Sequence, residues 1–543
     1  MPKQKASLIL YMIGIILFIG SIFWVNLHAS QWFNFDMFAD ASVAQKIFQQ
    51  KTLFPRDWLF GNQYYIIATP AVAALFYSFT NDPVLALTLA SSLYTILVAV
   101  GFVWCCRPVF SGKAILAGLF CLVGACILGD SSSSCTYGFQ VLYTMAGYYA
   151  CYFFVAILHI GILIRLQKDM RAGLIIVVLA LLTSMALGIQ SPREMLVVCI
   201  PAFFLSGLLF FVSKGQSGYK RAFLFSGASL VINLAGILLN PVLTSLLHVK
   251  KQVNISSGLV VEPTVLIFNL KQALSSFSEL LGFRYLDYNW KWRPIALLGF
   301  FFLGCSLIAL FICLLKTKDS ADSFPLWFCW FSLFCTLAAG IVAIKLRAIY
   351  FFLWYLLVPF SISFLTDCLP DKAMQSILCL LLLLAGTMNY AFNFLPDYMK
   401  YSGQQSFYHE IVNWMEEKGY STIYGDYQAP TIAAVSGHFS YYSVFPESTG
   451  SQEAENSLLK AQAWSPVSLD GYQNTDPSSS VLILSDSPYD ENSGYRWLEQ
   501  HTSEAYRIRF EEAFTLEASF PSPYNTYYLY SFSESNLFGI MEP

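Results

Sequence analysis

The sequence predicts a polytopic α-helical membrane protein with a C-terminal α/β domain outside the membrane, and three observations carry that expectation. Hydrophobic residues make up 56% of the 543 residues and charged residues 12%, with a mean hydropathy of +0.55, whereas an average soluble domain is about 25% charged. Apolar runs near the length of a bilayer crossing recur through residues 1–392. From Asn393 onward 6 Lys/Arg face 20 Asp/Glu, a charge of −14, while the preceding part holds the other 25 basic and 14 acidic residues, a charge of +11. The chain thus divides into a basic multi-span part, 1–392, and an acidic soluble part, 393–543. An acidic soluble part excludes nucleic acid as a partner.

Apolar segments at 8–28, 64–80, 84–106, 114–129, 143–164, 172–190, 195–213, 222–246, 294–315, 324–344, 347–366 and 373–392 give twelve candidate spans. Met1-Pro-Lys-Gln-Lys5 could open a signal peptide, but the run behind it is about 20 residues long and no clear small-residue cleavage site follows. It reads as a retained first span with a cytoplasmic N-terminus. The basic connections Arg107–Lys113, Arg165–Arg171, Lys214–Arg221 and Lys316 with Lys318 belong in the cytoplasm with Lys3 and Lys5. Twelve crossings cannot satisfy this, and eleven can if 64–80, short and interrupted by Pro70, is interfacial or re-entrant. The expectation is about 11 to 12 spans in the inner (plasma) membrane, with the C-terminal domain extracytoplasmic.

The soluble part opens with an amphipathic helix from Phe407 to Lys418, where Ile411, Trp414 and Met415 share a face and Gly419 ends it. Strand-like runs follow at Ser421–Tyr424, Ser480–Leu484, Tyr506–Phe510 and Thr526–Phe532. All 13 cysteines precede this part, mostly in apolar segments, so neither a zinc spacing nor a disulfide framework is visible. The six histidines lack ligand spacing, and no phosphate-binding or dinucleotide glycine motif supports ATP or NAD chemistry.

Candidate functional residues collect on the side of the membrane that carries the soluble part. The loop 29–63 sets Asp36, Asp40, Arg56 and Asp57 among Trp32, Phe33, Phe35, Phe38, Trp58 and Phe60. Asp36 and Asp40, four residues apart, share a face if the segment is helical. One of them could serve as a general base toward an acceptor hydroxyl; the alternative is an interfacial helix whose carboxylates face water. Lys345 and Arg347 open a late span as two cations that could bind an anion or snorkel at the interface. Arg193 and Glu194 follow Pro192 at a span boundary, as helix cap or substrate contact, and Asp130 precedes a Ser-rich turn that could meet sugar hydroxyls. The loop His248–Trp292 is long enough to cover a groove, and Tyr424-Gly-Asp-Tyr427 and Trp464 are candidates for stacking on carbohydrate or for core packing.

A first span, a long acidic outer loop, many further spans and an outer soluble tail resemble the GT-C superfamily of polyprenyl-phosphate-sugar-dependent glycosyltransferases. The resemblance extends to relatives of bacterial protein mannosyltransferases and of the aminoarabinose transferase of lipid A. It implies an inverting transfer of a sugar from a polyprenyl-phosphate carrier, within the membrane lipid, to a glycan, lipid or protein acceptor at the outer face. It further implies that Asp36 or Asp40 lies at the reacting centre, that Lys345 and Arg347 meet the lipid phosphate, and that no cofactor is needed beyond, in some members, a divalent metal ion. Family members often carry adjacent acidic residues, whereas Met37-Phe38-Ala39 separate the two here. The rival class is a transporter or flippase for lipid or polysaccharide, with ionisable groups lining a path between the two faces.

Overall fold

A computed structural model describes residues 2–30, 35–61, 63–125, 143, 146–250, 262–281, 293–315, 320–342, 348–391, 395, 399, 403–426, 428–446, 458–461, 472, 475–487, 493–522, 525–534 and 538–539. The membrane part comprises α1 (Pro2–Ala29), α2 (Phe35–Gln50), α3 (Thr69–Thr80), α4 (Pro83–Cys106), α5 (Gly112–Phe120), α6 (Ala146–Gln167), α7 (Leu174–Gln190), α8 (Ile200–Val212) and α9 (Ser217–Leu246). It continues with α10 (Pro263–Leu280), α11 (Arg293–Leu315), α12 (Ser320–Val342), α13 (Trp354–Cys368) and α14 (Lys372–Asn389). Among the described residues seven helical segments are long and apolar enough to cross a membrane, and four shorter apolar helices accompany them. The chain is a multi-pass membrane protein, as its composition requires.

Local chemistry explains the element boundaries. Asp82 caps α4 by accepting from the N–H groups of Val84 (2.9 Å) and Leu85 (3.0 Å), with Pro83 at the first helical position. The segment 64–80 contains only the 12-residue α3, about 18 Å of helix against a hydrocarbon core of about 30 Å. It therefore cannot cross on its own. The bundle is close-packed where small residues meet: a Cβ on Gly236 of α9 would lie 2.4 Å from the carbonyl oxygen of Met185 on α7. Outward, Ile175, Phe211, Val231, Phe311 and Leu380 are exposed, the surface a bilayer would cover.

Three of the four basic connections meet at one end of the bundle, and Lys316 and Lys318 lie outside the described residues. Lys168 donates to Pro108 O (2.8 Å) and pairs with Asp322 (2.6 Å), Arg221 pairs with Asp169, Lys113 donates to Lys372 O (2.7 Å), and Ser111 N donates to Asp367 Oδ1 (3.2 Å). Because α4, α6 and α13 run into that end, the starts of these helices and the ends of α7 and α9 lie at the other.

The C-terminal sheet-containing domain holds α15 (Gln404–Lys418), β1 (Thr422–Gly425), α16 (Ala429–Ser436), β2 (Ser440–Pro446), β3 (Leu459–Ala461), β4 (Ser480–Asp486), α17 (Gly494–His501), α18 (Glu504–Ala513), β5 (Phe514–Pro521), β6 (Thr526–Phe532) and β7 (Phe538–Gly539). Sheet order is β5-β6-β4-β1-β2-β3-β7, with β1 parallel to both β2 and β4. The helix read at Phe407–Lys418 forms as α15, burying Ile411 and Met415 and ending at Gly419 with φ +80. Tyr506–Phe510, read as a strand from its alternation, is instead helical. Ser503 Oγ accepts from Tyr506 N (3.2 Å) as the N-cap of α18, and Phe510 packs into the core with Phe514 and Tyr530. The long loop His248–Trp292 likewise contains α10, with Asn269 donating to Ile341 O (3.0 Å). Tyr424 and Asp426 are core and turn groups: Tyr424 is buried, and Asp426 accepts from Ser485 N (2.8 Å) and Gly494 N (2.9 Å). Tyr427 and Trp464 lie outside the described residues.

Candidate active site

The loop that suggested catalysis folds into α2, so Asp36 and Asp40 do share a helix face, one turn apart. They differ in surroundings. Asp36 stands exposed in the first turn, while Asp40 is 3% exposed. The cause is the position of α2 between two bodies. Ala39, Val43 and Ile47 join a core with Ile411, Met415, Ile423, Ile432 and Tyr441 of the sheet-containing domain. Met37, Phe38, Ala41 and Ala44 join Ala73 and Tyr77 of α3, Leu87 and Ala90 of α4, and Ala434 of α16. Asp40 projects between these two faces. Tyr441, on β2, is also buried, its hydroxyl has no hydrogen-bond partner among the described residues, and burial, Tyr472, Asp40 and Asp57 push its phenol well above the usual range.

The remaining loop is fastened at both ends. Gln45 Nε2 donates to Gly437 O, and Lys46 pairs with Asp57. Burial opposes ionisation of Asp57, but Lys46 and the Gln50 amide (2.5 Å) outweigh it and hold the carboxyl below its usual range. Arg56 is exposed, its backbone N–H donating to Gln50 Oε1 (2.9 Å). A carboxyl lowered on folding stabilises the fold fully above the ordinary carboxylate range and loses that contribution as pH falls through the depressed value. Asp57→Asn should lower stability at pH 7 by about 0.2–1 kcal/mol, the range for exposed pairs, with the difference vanishing as pH falls through the depressed value. Thermal melts of the detergent-solubilised protein across pH would read this.

The loop then docks on the end of α7. Tyr64 N donates to Gln190 O (3.0 Å), and Ile66 N and Ile67 N donate to Gln190 Oε1 (3.1 and 3.2 Å). Phe60 N donates to Lys250 O (3.0 Å), adding the segment after α9. Sequence reading missed Gln190, whose signal was a lone amide closing an apolar run immediately before Ser191-Pro-Arg-Glu194.

Three residues beyond Gln190, Arg193 enters a cage of tyrosines. Its Cζ lies 5.1 Å from the ring centroid of Tyr149, 5.4 Å from Tyr152 and 5.6 Å from Tyr350, within cation–π range. Among the described residues its Nη1, sealed from solvent, has no hydrogen-bond partner, and the buried Tyr152 hydroxyl stands near Ser191 and Gln190. A buried guanidinium N–H without a partner is a donor awaiting an acceptor, since such a group is costly to leave unmade. The arrangement suits an anion with several oxygens.

Glu194, the next residue, points elsewhere. Fully buried, it accepts from Ser184 Oγ on α7 (2.6 Å) and Asn233 Nδ2 on α9 (2.7 Å). Lys345, Arg347 and Asp130 lie outside the described residues. Tyr350, three positions after Arg347, stands in the Arg193 cage, so the segment that follows Arg347 does reach this site. Among the described residues no three His, Cys, Asp or Glu side chains are grouped to hold a metal ion. The divalent ion of some GT-C members thus finds no ligand set among these residues.

No protein-family model matches the chain, and no curated protein matches its sequence. Among solved structures, ArnT from Cupriavidus metallidurans bound to undecaprenyl phosphate is similar over 95% of this chain and 98% of that one, at 12% identity and a TM-score of 0.51. ArnT from the same organism in the apo state matches at 10% identity over 99% of each chain with a TM-score of 0.40. The Archaeoglobus fulgidus oligosaccharyltransferase in complex with Zn and sulfate matches at 14% identity over 92% of this chain and 69% of that one, TM-score 0.41. The first likeness shows a GT-C-like fold, the fold that the sequence resemblance implied.

Proposed function

We propose that this chain of GT-C-like fold is a glycosyltransferase that takes a sugar from a polyprenyl-phosphate carrier. The observation that carries the reading is the caged Arg193, whose Nη1 has no hydrogen-bond partner among the described residues, beside the ring of Tyr152 and at the same end of the bundle as Asp36 and Asp40. The structural likeness to an ArnT bound to undecaprenyl phosphate supports a lipid phosphate as the anion.

In this reading the acceptor hydroxyl gives its proton to Asp36, the exposed member of the pair, as its oxygen attacks the anomeric carbon. The bond from that carbon to the phosphate oxygen breaks with inversion, and the phosphate gains a negative charge as it leaves. Arg193, with Tyr152 donating beside it, stabilises that charge, and Lys345 and Arg347 add to it from the segment leading to Tyr350. Asp40, buried one turn behind, organises the acceptor side through α2, and Arg56, Asp57 and Asp130 remain proposed only as rim contacts. The donor arrives in the lipid, which agrees with the absence of a nucleotide-binding motif in the sequence. The positive-inside rule puts the basic end in the cytoplasm, hence the site and the C-terminal domain outside a plasma membrane.

The test is binding of undecaprenyl phosphate to the purified chain in detergent. Saturable binding that undecaprenol, the same lipid without phosphate, fails to displace supports the reading. Equal displacement by both lipids would contradict it.

A further inference from the structure

Arg193 and Glu194 are consecutive residues at the helical start of the π-helical turn Met195–Cys199 that leads into α8, and the chain buries them in different directions: the guanidinium among Tyr149, Tyr152 and Tyr350, the carboxylate between α7 and α9. Successive side chains on a helix project about 100° apart, so fixing one side chain fixes the direction of the next. The anchorage of Glu194 is extensive. Asn233 Nδ2, which donates to Glu194 Oε2, also donates to Ser184 O (2.8 Å). Behind Ser184, His159 of α6 has its Nε2 3.3 Å from Ser184 Oγ and 3.2 Å from Ser229 Oγ of α9, with Nδ1 2.9 Å from Val155 O. His159 donates from Nδ1 to the Val155 carbonyl, and its Nε2 stands between the two serine hydroxyls. The two helices that hold the carboxylate also meet backbone to backbone, a Cβ on Gly188 falling 2.3 Å from Asn233 O. The notch cannot widen or slide without breaking this contact.

We propose that Glu194 is a positioning residue for donor binding: its carboxylate, held by Ser184 and Asn233, sets the rotation of the helix start and so holds Arg193 in the tyrosine cage. This rests on the reading of Arg193 as the phosphate-binding cation. The carboxylate touches no substrate in this account. This buried polar group is retained because an apolar residue would leave the Ser184 hydroxyl and Asn233 amide unpaired and the start of the helical turn free to rotate.

A double-mutant cycle on undecaprenyl phosphate affinity tests it in the full-length purified protein. Arg193→Ala should weaken binding at least 10-fold. Glu194→Ala should also weaken it about 10-fold in the native background, yet change it less than 2-fold when Arg193 is already Ala, because Glu194 acts through Arg193. Glu194→Gln keeps the side-chain volume but offers one acceptor oxygen where the carboxyl offers two, so the Ser184 and Asn233 donors no longer each meet their own. It carries the same cycle if the alanine variant does not fold, with a smaller loss that again disappears in the Arg193→Ala background. Losses that multiply would show a merely structural role and overturn the inference. So would tighter binding by Glu194→Gln, the result if the carboxylate only repelled the anion. If Arg193→Ala itself binds normally, the reading of Arg193 fails, and this inference with it. If Arg193→Ala is impaired and Glu194→Gln binds like the native protein, the inference alone fails.

Discussion

Asp36→Asn should lower the rate of sugar transfer in proteoliposomes by about 100- to 10,000-fold, the range that a positioned general base contributes. Asn keeps the size of the side chain and its place at the exposed start of α2, so the loss isolates proton acceptance from shape. Asp40→Asn should cost about 10-fold, because Asp40 is buried between the C-terminal domain and the membrane helices and meets the acceptor only through the helix it shares with Asp36. The two variants are read by initial rates at saturating donor with varied acceptor. A larger loss for Asp40 than for Asp36 would exchange their roles, and full activity in both would remove the pair from the chemistry.

Arg193→Ala should reduce kcat/KM for the donor by about 100- to 1,000-fold, the typical effect of deleting one preorganised donor at developing charge. Arg193→Lys should recover little of it. An ammonium is a compact point charge that cannot face three rings and still present a planar fork of N–H groups to a phosphate. Initial rates against donor concentration check this, with acceptor KM as the internal control. An equal loss toward donor and acceptor would indicate misfolding rather than a lost phosphate contact.

How much of this was legible beforehand differs residue by residue. The spacing of Asp36 and Asp40 foretold a shared helical face, but their contrast in burial comes from α15, α16 and β2, more than 350 residues away, docking on α2. No local pattern encodes that. Arg193 and Glu194 stood out as charges at a span boundary, where their cost in lipid demands a reason. That they turn apart could not be read, since it depends on Ser184 and Asn233 on one side and on Tyr149, Tyr152 and Tyr350 on the other. Those three tyrosines looked like ordinary span residues. The 64–80 segment was resolved by charge bookkeeping among loops, and the 12-residue α3 agrees with it. Tyr506–Phe510 went the other way, because alternation was weighed without the Ser503 cap that starts a helix there.

The most direct measurement follows both halves of a labelled donor in sealed proteoliposomes carrying the purified chain. Polyprenyl-phosphate sugar labelled in the sugar and in the lipid is supplied with acceptor on one side. The account predicts that each sugar joined to acceptor leaves one free polyprenyl phosphate, and that neither product forms with the Asp36→Asn chain. Appearance of the intact sugar-lipid in the opposite leaflet, with no cleavage, would contradict it and identify a flippase.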